Sequence, residues 1–268
     1  MDFNLHAFDK LLKSFLDKNY QFQTFYDFLV APISKVVILR HDVDRLPNNA
    51  LQTAVIEHQM GIKGTYYFRV VPESFDLNIM QKIADMGHEI GYHYEDVDLV
   101  YRKNYKLIKS SIGKLGLEKL IDLSYESFCK NLENFRKYFD IKTICMHGSP
   151  SGKYDNKIIW TKYNYRELGI LGEPYFDINY NEFAYFTDTG RRWNGNSFSI
   201  RDKVGSKYQF NFKNTQQIIN NTHILPDKIM ITIHPQRWTD NWVDWSIELI
   251  SQRIKNIVKY GVIKTREN

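Results

Sequence analysis

The stretch that most constrains this chain is VVILRHDVD, residues 36–44. Its apolar start, Val36-Val37-Ile38-Leu39, reads as a strand buried on both faces, the mark of a parallel sheet covered by helices. The run then ends in Arg40, His41, Asp42 and Asp44, so a buried strand carries charge to the rim of a core. In α/β barrels and open parallel sheets, sites are built at the C-terminal strand ends. Asp42 and Asp44 stand two apart and project to one side wherever the pleat persists. Two carboxylates that close repel each other unless a cation or a proton lies between them.

The flanking pattern extends this strand into a sheet. Pro47 suits a first helical turn, and Ala50, Leu51, Ala54, Val55 and His58 continue that face to Gly61. GTYYFRVV (64–71) is the next strand, residues 77–86 form a helix stopped by Gly87, and HEIGYHY (88–94) is a third strand. Strand, helix, glycine, strand at this spacing is the βαβ signature. Upstream, Leu5, Phe8, Leu11, Leu12, Phe15 and Leu16 share one face, predicting an amphipathic helix over 3–18 packed on the sheet or closing its bottom. Residues 97–141 read as a helical insertion, with Ser124, Glu126 and Ser127 marking a helix start. KTICMH (142–147) and IMITIH (229–234) are further strands, and residues 156–165 and 215–220 read as helical. Short strands are expected at 167–171 and near 194–200. An amphipathic helix over 242–260, apolar at Ile247, Leu249, Ile250, Ile254, Ile257 and Val258, closes the chain.

No repeat, linker or shift in composition divides the sequence, so one α/β domain over 1–268 is expected. The 43% of hydrophobic residues is ample for a core of that size. The net charge of +5 comes from basic residues scattered among acids, which leaves no nucleic-acid footprint and suits an anionic substrate only weakly. Cys129 and Cys145 fall in a helical and a strand pattern, as buried thiols do. The N-terminus lacks the pattern of a signal peptide and no stretch approaches a membrane span, so a cytoplasmic protein is expected.

Histidines recur where apolar strands end: His41 beside Asp42, His93, His147 and His234. Parallel strands deliver those ends to one rim, and imidazoles with carboxylates there suit a divalent metal such as Zn²⁺, Fe²⁺, Co²⁺ or Mn²⁺. The chain has no Gly-rich phosphate loop of standard spacing, no HExxH and no GxSxG. Metal-assisted hydrolysis therefore fits better than serine or cysteine nucleophilic catalysis.

An aspartate-bearing strand end, GHEIGYH (87–93), a strand ending at 147, Asp188 to Trp193 and ITIHP (231–235) follow in that order. This arrangement resembles the polysaccharide deacetylases of carbohydrate esterase family 4, which share a nodulation-protein deacetylase-like domain. The resemblance spans about residues 36–235, GHEIGYH being its most specific piece. It implies a distorted (β/α) barrel of about seven parallel strands. It also implies removal of N- or O-acetyl groups from sugars by a metal held by one Asp and two His. Carried onto this chain, it makes Asp42 the base and Asp44 a metal ligand, or the reverse. His93 becomes a second ligand and His234 the acid, while Asp188, Arg191 and Trp193 orient the base and line the site.

The family's second histidine, four residues after the first, is here Val97, which cannot ligate. His147, ending a strand where relatives carry arginine, is the expected third ligand, with Glu95 and Asp96 as competitors. Arg40, Tyr94, Glu95 and Arg237 complete the expected substrate contacts. The implied cofactor is a divalent ion, zinc or else cobalt, iron, manganese or nickel. The implied partner is an acetylated carbohydrate, with no nucleic acid. Two other readings stay open: a hydrolase of the same barrel acting on another C–N amide bond with altered or no metal, and an inactive sugar-binding protein.

Overall fold

The computed structural model describes residues 1–105, 108, 114–148, 152–193 and 204–267. Its centre is the strand β2 (Val36–Val43), every residue of which is buried. Around it lie β1 (Gln21–Gln23), β3 (Thr65–Phe68), β4 (Glu89–Tyr94), β5 (Ile144–Met146), β6 (Ala184–Thr187) and β7 (Lys228–Ile233). All pair in parallel, in the order β5-β4-β3-β2-β7-β6 with β1 beside the start of β2. Along one edge of β2, β1 pairs with Val36–Ile38 and β3 with Arg40–Val43, end to end. Along the other edge β7 runs from Val36 to His41. The sheet curls into a half-barrel flanked by helices, a single α/β domain.

The helices are α1 (Leu5–Leu16), α2 (Phe25–Val30), α3 (Pro47–Gln59), α4 (Leu77–Asp85), α5 (Asp96–Lys103), α6 (Lys114–Arg136), α7 (Pro174–Asp177), α8 (Thr215–Asn221) and α9 (Trp242–Glu267). Their starts follow local chemistry: Asn4 and Asp76 cap α1 and α4 by accepting from Ala7 N and Ile79 N. Gly87, at φ +87°, turns the chain from α4 into β4, a conformation a side chain would resist. No helix among the described residues is long and apolar enough to cross a membrane.

Strand pleating sorts each strand into two faces. On β2, Val37 and Leu39 face outward to α1, whose Phe8, Leu11, Leu12 and Phe15 pack there with Ile229 and Ile231 of β7. Tyr66, Phe68, Ile90, Tyr92, Tyr94, Ile144 and Met146 likewise face outward to α4 and α6. The alternate positions Val36, Ile38, Tyr67, Cys145 and Met230 form the interior, plugged by Phe25 of α2. Gly91 belongs to this inner face, and a Cβ there would come within 2.3 Å of the Tyr67 ring. Followed to the strand ends, the inner parity passes through Arg40, Asp42 and Asp44, then Arg69, His93, Cys145, His147, Thr232 and His234. The apolar half of the interior is thus the floor of a polar rim.

Several sequence expectations change. Ser124 does not start a helix: it sits inside α6 and its hydroxyl donates back to Leu120 O, which satisfies it without a cap. The strand expected at 167–171 shrinks to one bridge, Thr143 with Gly172, because Tyr165–Leu168 winds into a 3₁₀ turn ended by Gly169 at φ +71°. The strand β6 was not anticipated. The strand expected near 194–200 lies outside the described residues. The helix α9 forms, but among its described side chains Glu248 and Gln252 are the buried ones, while Ile247, Ile250 and Ile254 are about 60% exposed (61%, 59% and 59%); the side chains of Ile257 and Val258 lie outside the described residues.

Candidate metal centre

The centre of the rim is Asp44, one residue past β2, where Asp44 N donates to Asp42 O and tightens the strand end. Gln236 Nε2 donates to Asp44 Oδ2 at 2.9 Å, which fixes the carboxylate and leaves Oδ1 turned inward. That Oδ1 is buried and has no hydrogen-bond partner. His93 Nε2 and His147 Nε2 each lie 3.5 Å from it, beyond a normal hydrogen bond. Burial by itself would raise the Asp44 carboxyl, but the imidazoles of His93, His147 and His234 around it hold it well below the usual range.

Both imidazoles are held from behind. His93 Nδ1 donates to the Cys145 carbonyl at 3.0 Å, which turns Nε2 toward Asp44. His147 Nδ1 meets Glu95 Oε2 at 3.1 Å. Arg69 grips Glu95 through Nε at 2.7 Å and Nη2 at 2.8 Å, and its Nη1 donates to Asp44 O at 2.9 Å. Burial would raise Glu95, yet hydrogen bonds from His147 and Arg69 hold it at about 2. Burial would lower the His147 pKa, and Glu95 and Asp44 raise it instead. A histidine anchored at Nδ1 by a carbonyl or carboxylate, with Nε2 presented, is the usual arrangement of a metal-ligating imidazole.

The donor set fits a cation. Asp44, His93 and His147 each offer one ligand atom, all within 4.8 Å of one another. Two ligands at ~2.0–2.1 Å from a tetrahedral ion stand roughly 3.3–3.5 Å apart, and the carboxylate–imidazole separations are 3.5 Å. A second group, Asp42, His93 and Cys145, also converges. It is the poorer candidate, because Arg40 occupies both Asp42 oxygens, Nε to Oδ1 at 2.8 Å and Nη2 to Oδ2 at 2.6 Å. Burial would raise Asp42, but Arg40 and His93 hold it down as a carboxylate.

A second constellation faces this one from β6 and β7. Asp188 takes His234 Nδ1 at 2.6 Å and Arg237 Nη1 on Oδ1, and His234 N at 2.9 Å and Trp238 Nε1 at 2.7 Å on Oδ2. Burial opposes its charge, but Arg237 and His234 hold it at about 2. This wall orients His234, which adds to what holds Asp42 and Asp44 low.

Not every expected site residue reaches the rim. Arg40, expected at the substrate, is 1% exposed and engaged by Asp42 and the Tyr175 hydroxyl. Tyr94 has the wrong parity: it lies on the outer face, accepting from Trp160 Nε1. Asp96, a competitor for the metal, points outward to Tyr92, Ser127 and Asn131. Glu95 holds His147, and Val97 is buried in the outer core. Asp188 and Arg237 anchor His234 and leave Asp42 to Arg40. Trp193 is buried against Phe3 and Trp238, donating to Thr215 Oγ1. Arg191 stacks between Phe3 and Trp245. His41 faces outward, 2.7 Å from Glu57 Oε1 beneath α3.

Arg69 and Gln236 were missed by sequence reasoning. Arg69 carried a signal, since it continues the inner parity of Thr65 and Tyr67. Gln236 carried none, because it sits in a 3₁₀ turn, Pro235–Arg237, without strand periodicity. No protein-family model, no curated protein and no solved structure matches the chain.

Proposed function

We propose that this protein is a metal-dependent hydrolase that removes an acetyl group, N-acetyl foremost, from a carbohydrate. The observation that carries the reading is the unpartnered Asp44 Oδ1 facing two imidazoles whose Nδ1 atoms are anchored and whose Nε2 atoms are presented. Asp44, His93 and His147 would hold the ion. What a divalent cation supplies there is Lewis acidity toward water and toward a carbonyl oxygen. The resemblance of the motif order to carbohydrate esterase family 4 directs that chemistry to an acetylated sugar.

The residues around the centre divide the proton work. Asp42, fixed by Arg40 and kept ionised, takes the proton of the attacking water as it adds to the acetyl carbonyl. An amine leaves poorly unless it is protonated. His234, held at Nδ1 by Asp188, presents Nε2 to give the departing nitrogen its proton as the C–N bond breaks. Acetic acid and the free amine result, the acid's proton passing to the amine to give acetate and an ammonium sugar, and Asp42 returns its proton to His234.

Acetate release from a panel of acetylated sugars tests the reading, with the protein stripped by chelator and then resupplied with Zn²⁺ or Co²⁺. The expected result is loss on stripping and recovery on resupply. Full turnover in a preparation verified as metal-free would overturn it.

A further inference from the structure

On the flank of the molecule, between the Gly190–Arg192 turn and α9, lies a cavity of about 430 Å³. It is separate in composition from the metal centre: its described lining includes Arg191, Arg192, Lys213, Gln252, Arg253 and Asn256, and no acidic residue. Four of these are cations. We propose that this cavity is a binding site for the phosphoryl group of a phosphate-bearing ligand.

Arg191 carries the argument. Arg191 is one of the residues that line the cavity, and it is only 7% exposed. Its Nε and Nη2 are buried with no hydrogen-bond partner, and Nη1 reaches only Trp245 O at 3.5 Å. The guanidinium is clamped between the rings of Phe3 and Trp245, at 5.3 and 4.7 Å, so its free edge is held in place. The carboxylates in its field are engaged elsewhere: Glu248 by Arg45, Asp188 by His234, Arg237 and Trp238, and Asp2 by Thr215. A buried guanidinium edge without an acceptor is costly, and an oxyanion with two acceptor oxygens matches its fork.

Two further features agree. The helix α9 lines this cavity with Leu249, Gln252, Arg253 and Asn256, three polar residues to one apolar, while Ile247, Ile250 and Ile254 are exposed. Asn256 Nδ2 donates to Gly190 O at 3.0 Å and braces the turn. Arg191 holds a left-handed backbone at φ +55°, a strained position that ligand clamps tend to use. Several cations around one space favour a multiply charged phosphoryl group over a single carboxylate. The turn is also tied to the catalytic wall, because Arg191 N donates to Asp188 O at 2.8 Å.

The test is titration of the intact chain with pyrophosphate, read by calorimetry and by tryptophan fluorescence, since Trp245 lies against Arg191. Saturable binding is expected, weakened on the order of 10–100-fold in Arg191→Gln, as for loss of a charge-assisted hydrogen-bonded pair. Arg253→Gln, at an exposed position, should weaken it in a chain whose folding is not at risk. Asp44→Asn should leave it unchanged, which separates this site from the metal centre. Absence of saturable binding, or weakening in Asp44→Asn alone, would overturn the proposal. Competition identifies the source of the phosphoryl group, and this arm alone rests on the deacetylase reading. An acetylated sugar phosphate that displaces pyrophosphate, where the unphosphorylated sugar does not, places the group on the substrate. Displacement by neither makes it a separate phosphate-bearing effector.

Discussion

The rim has two walls, each built from an aspartate and histidine at strand ends, and they are chemically opposite. On the wall of β2, β4 and β5, Asp44 Oδ1 has no donor and faces two imidazole Nε2 atoms. On the wall of β6 and β7, Asp188 receives four N–H groups, two on each oxygen. A carboxylate saturated by donors has no lone pair left for a cation. One left bare in a buried place needs a cation to balance it. The same pair of residue types therefore makes a group that could hold a metal ion on one side and an imidazole fixed by its carboxylate on the other. What decides is the second layer: a carbonyl and Glu95 turn the first wall's Nε2 atoms inward, whereas Arg237 and Trp238 turn N–H groups onto Asp188.

Substitutions should divide along that line. Asp44→Asn is expected to have the largest effect, abolishing metal binding and lowering turnover by about 10⁴ or more, as loss of a several-kcal/mol Lewis-acid contribution implies. Elemental analysis with acetate release measures both. His234→Ala should cost ~10²–10⁴ in turnover while metal content stays whole. Loss of metal in that variant would merge the two walls into one ligand set.

A smaller effect concerns stability. Asp188, at about 2 in the folded chain, contributes stability that is fully present above the unfolded carboxyl value near ~3.9 and is lost as pH falls toward about 2. That contribution is about 2–3 kcal/mol, and Asp188→Asn should flatten the acid limb of a denaturation series by that amount. Smallest is Gln236→Ala, which frees Asp44 Oδ2 and should lower metal affinity about tenfold, the low end for an outer-shell partner.

Much of this could be read from period-two alternation alone. The inner parity of β2, β4, β5 and β7 places Asp42, Asp44, His93, His147 and His234 on one rim. The same rule, applied strictly, excludes His41 and Tyr94, which fall on the outer face where Glu57 and Trp160 meet them. What the pattern does not carry is partner choice. Nothing in Arg40 or Asp188 as letters says that the first would hold Asp42 and the second His234, because those pairings join atoms set by sheet curvature. The strand β6 is not legible because AYFT is only four residues long, too short for a pattern to stand out. The helix α9 departs from its pattern for the opposite reason: its apolar stripe is real, but among the described side chains Glu248 and Gln252 are the buried ones.

The measurement that bears most directly on the two walls is metal stoichiometry after zinc loading, in the parent chain, His147→Ala and His234→Ala. His147 is where the assignment is most exposed, since Glu95 lies 3.1 Å away, and Val97, where the resemblance implies a histidine, is buried in the outer core. The account predicts one ion per chain in the parent and in His234→Ala, and occupancy far below that in His147→Ala. Full occupancy in His147→Ala, or its loss in His234→Ala, would contradict it.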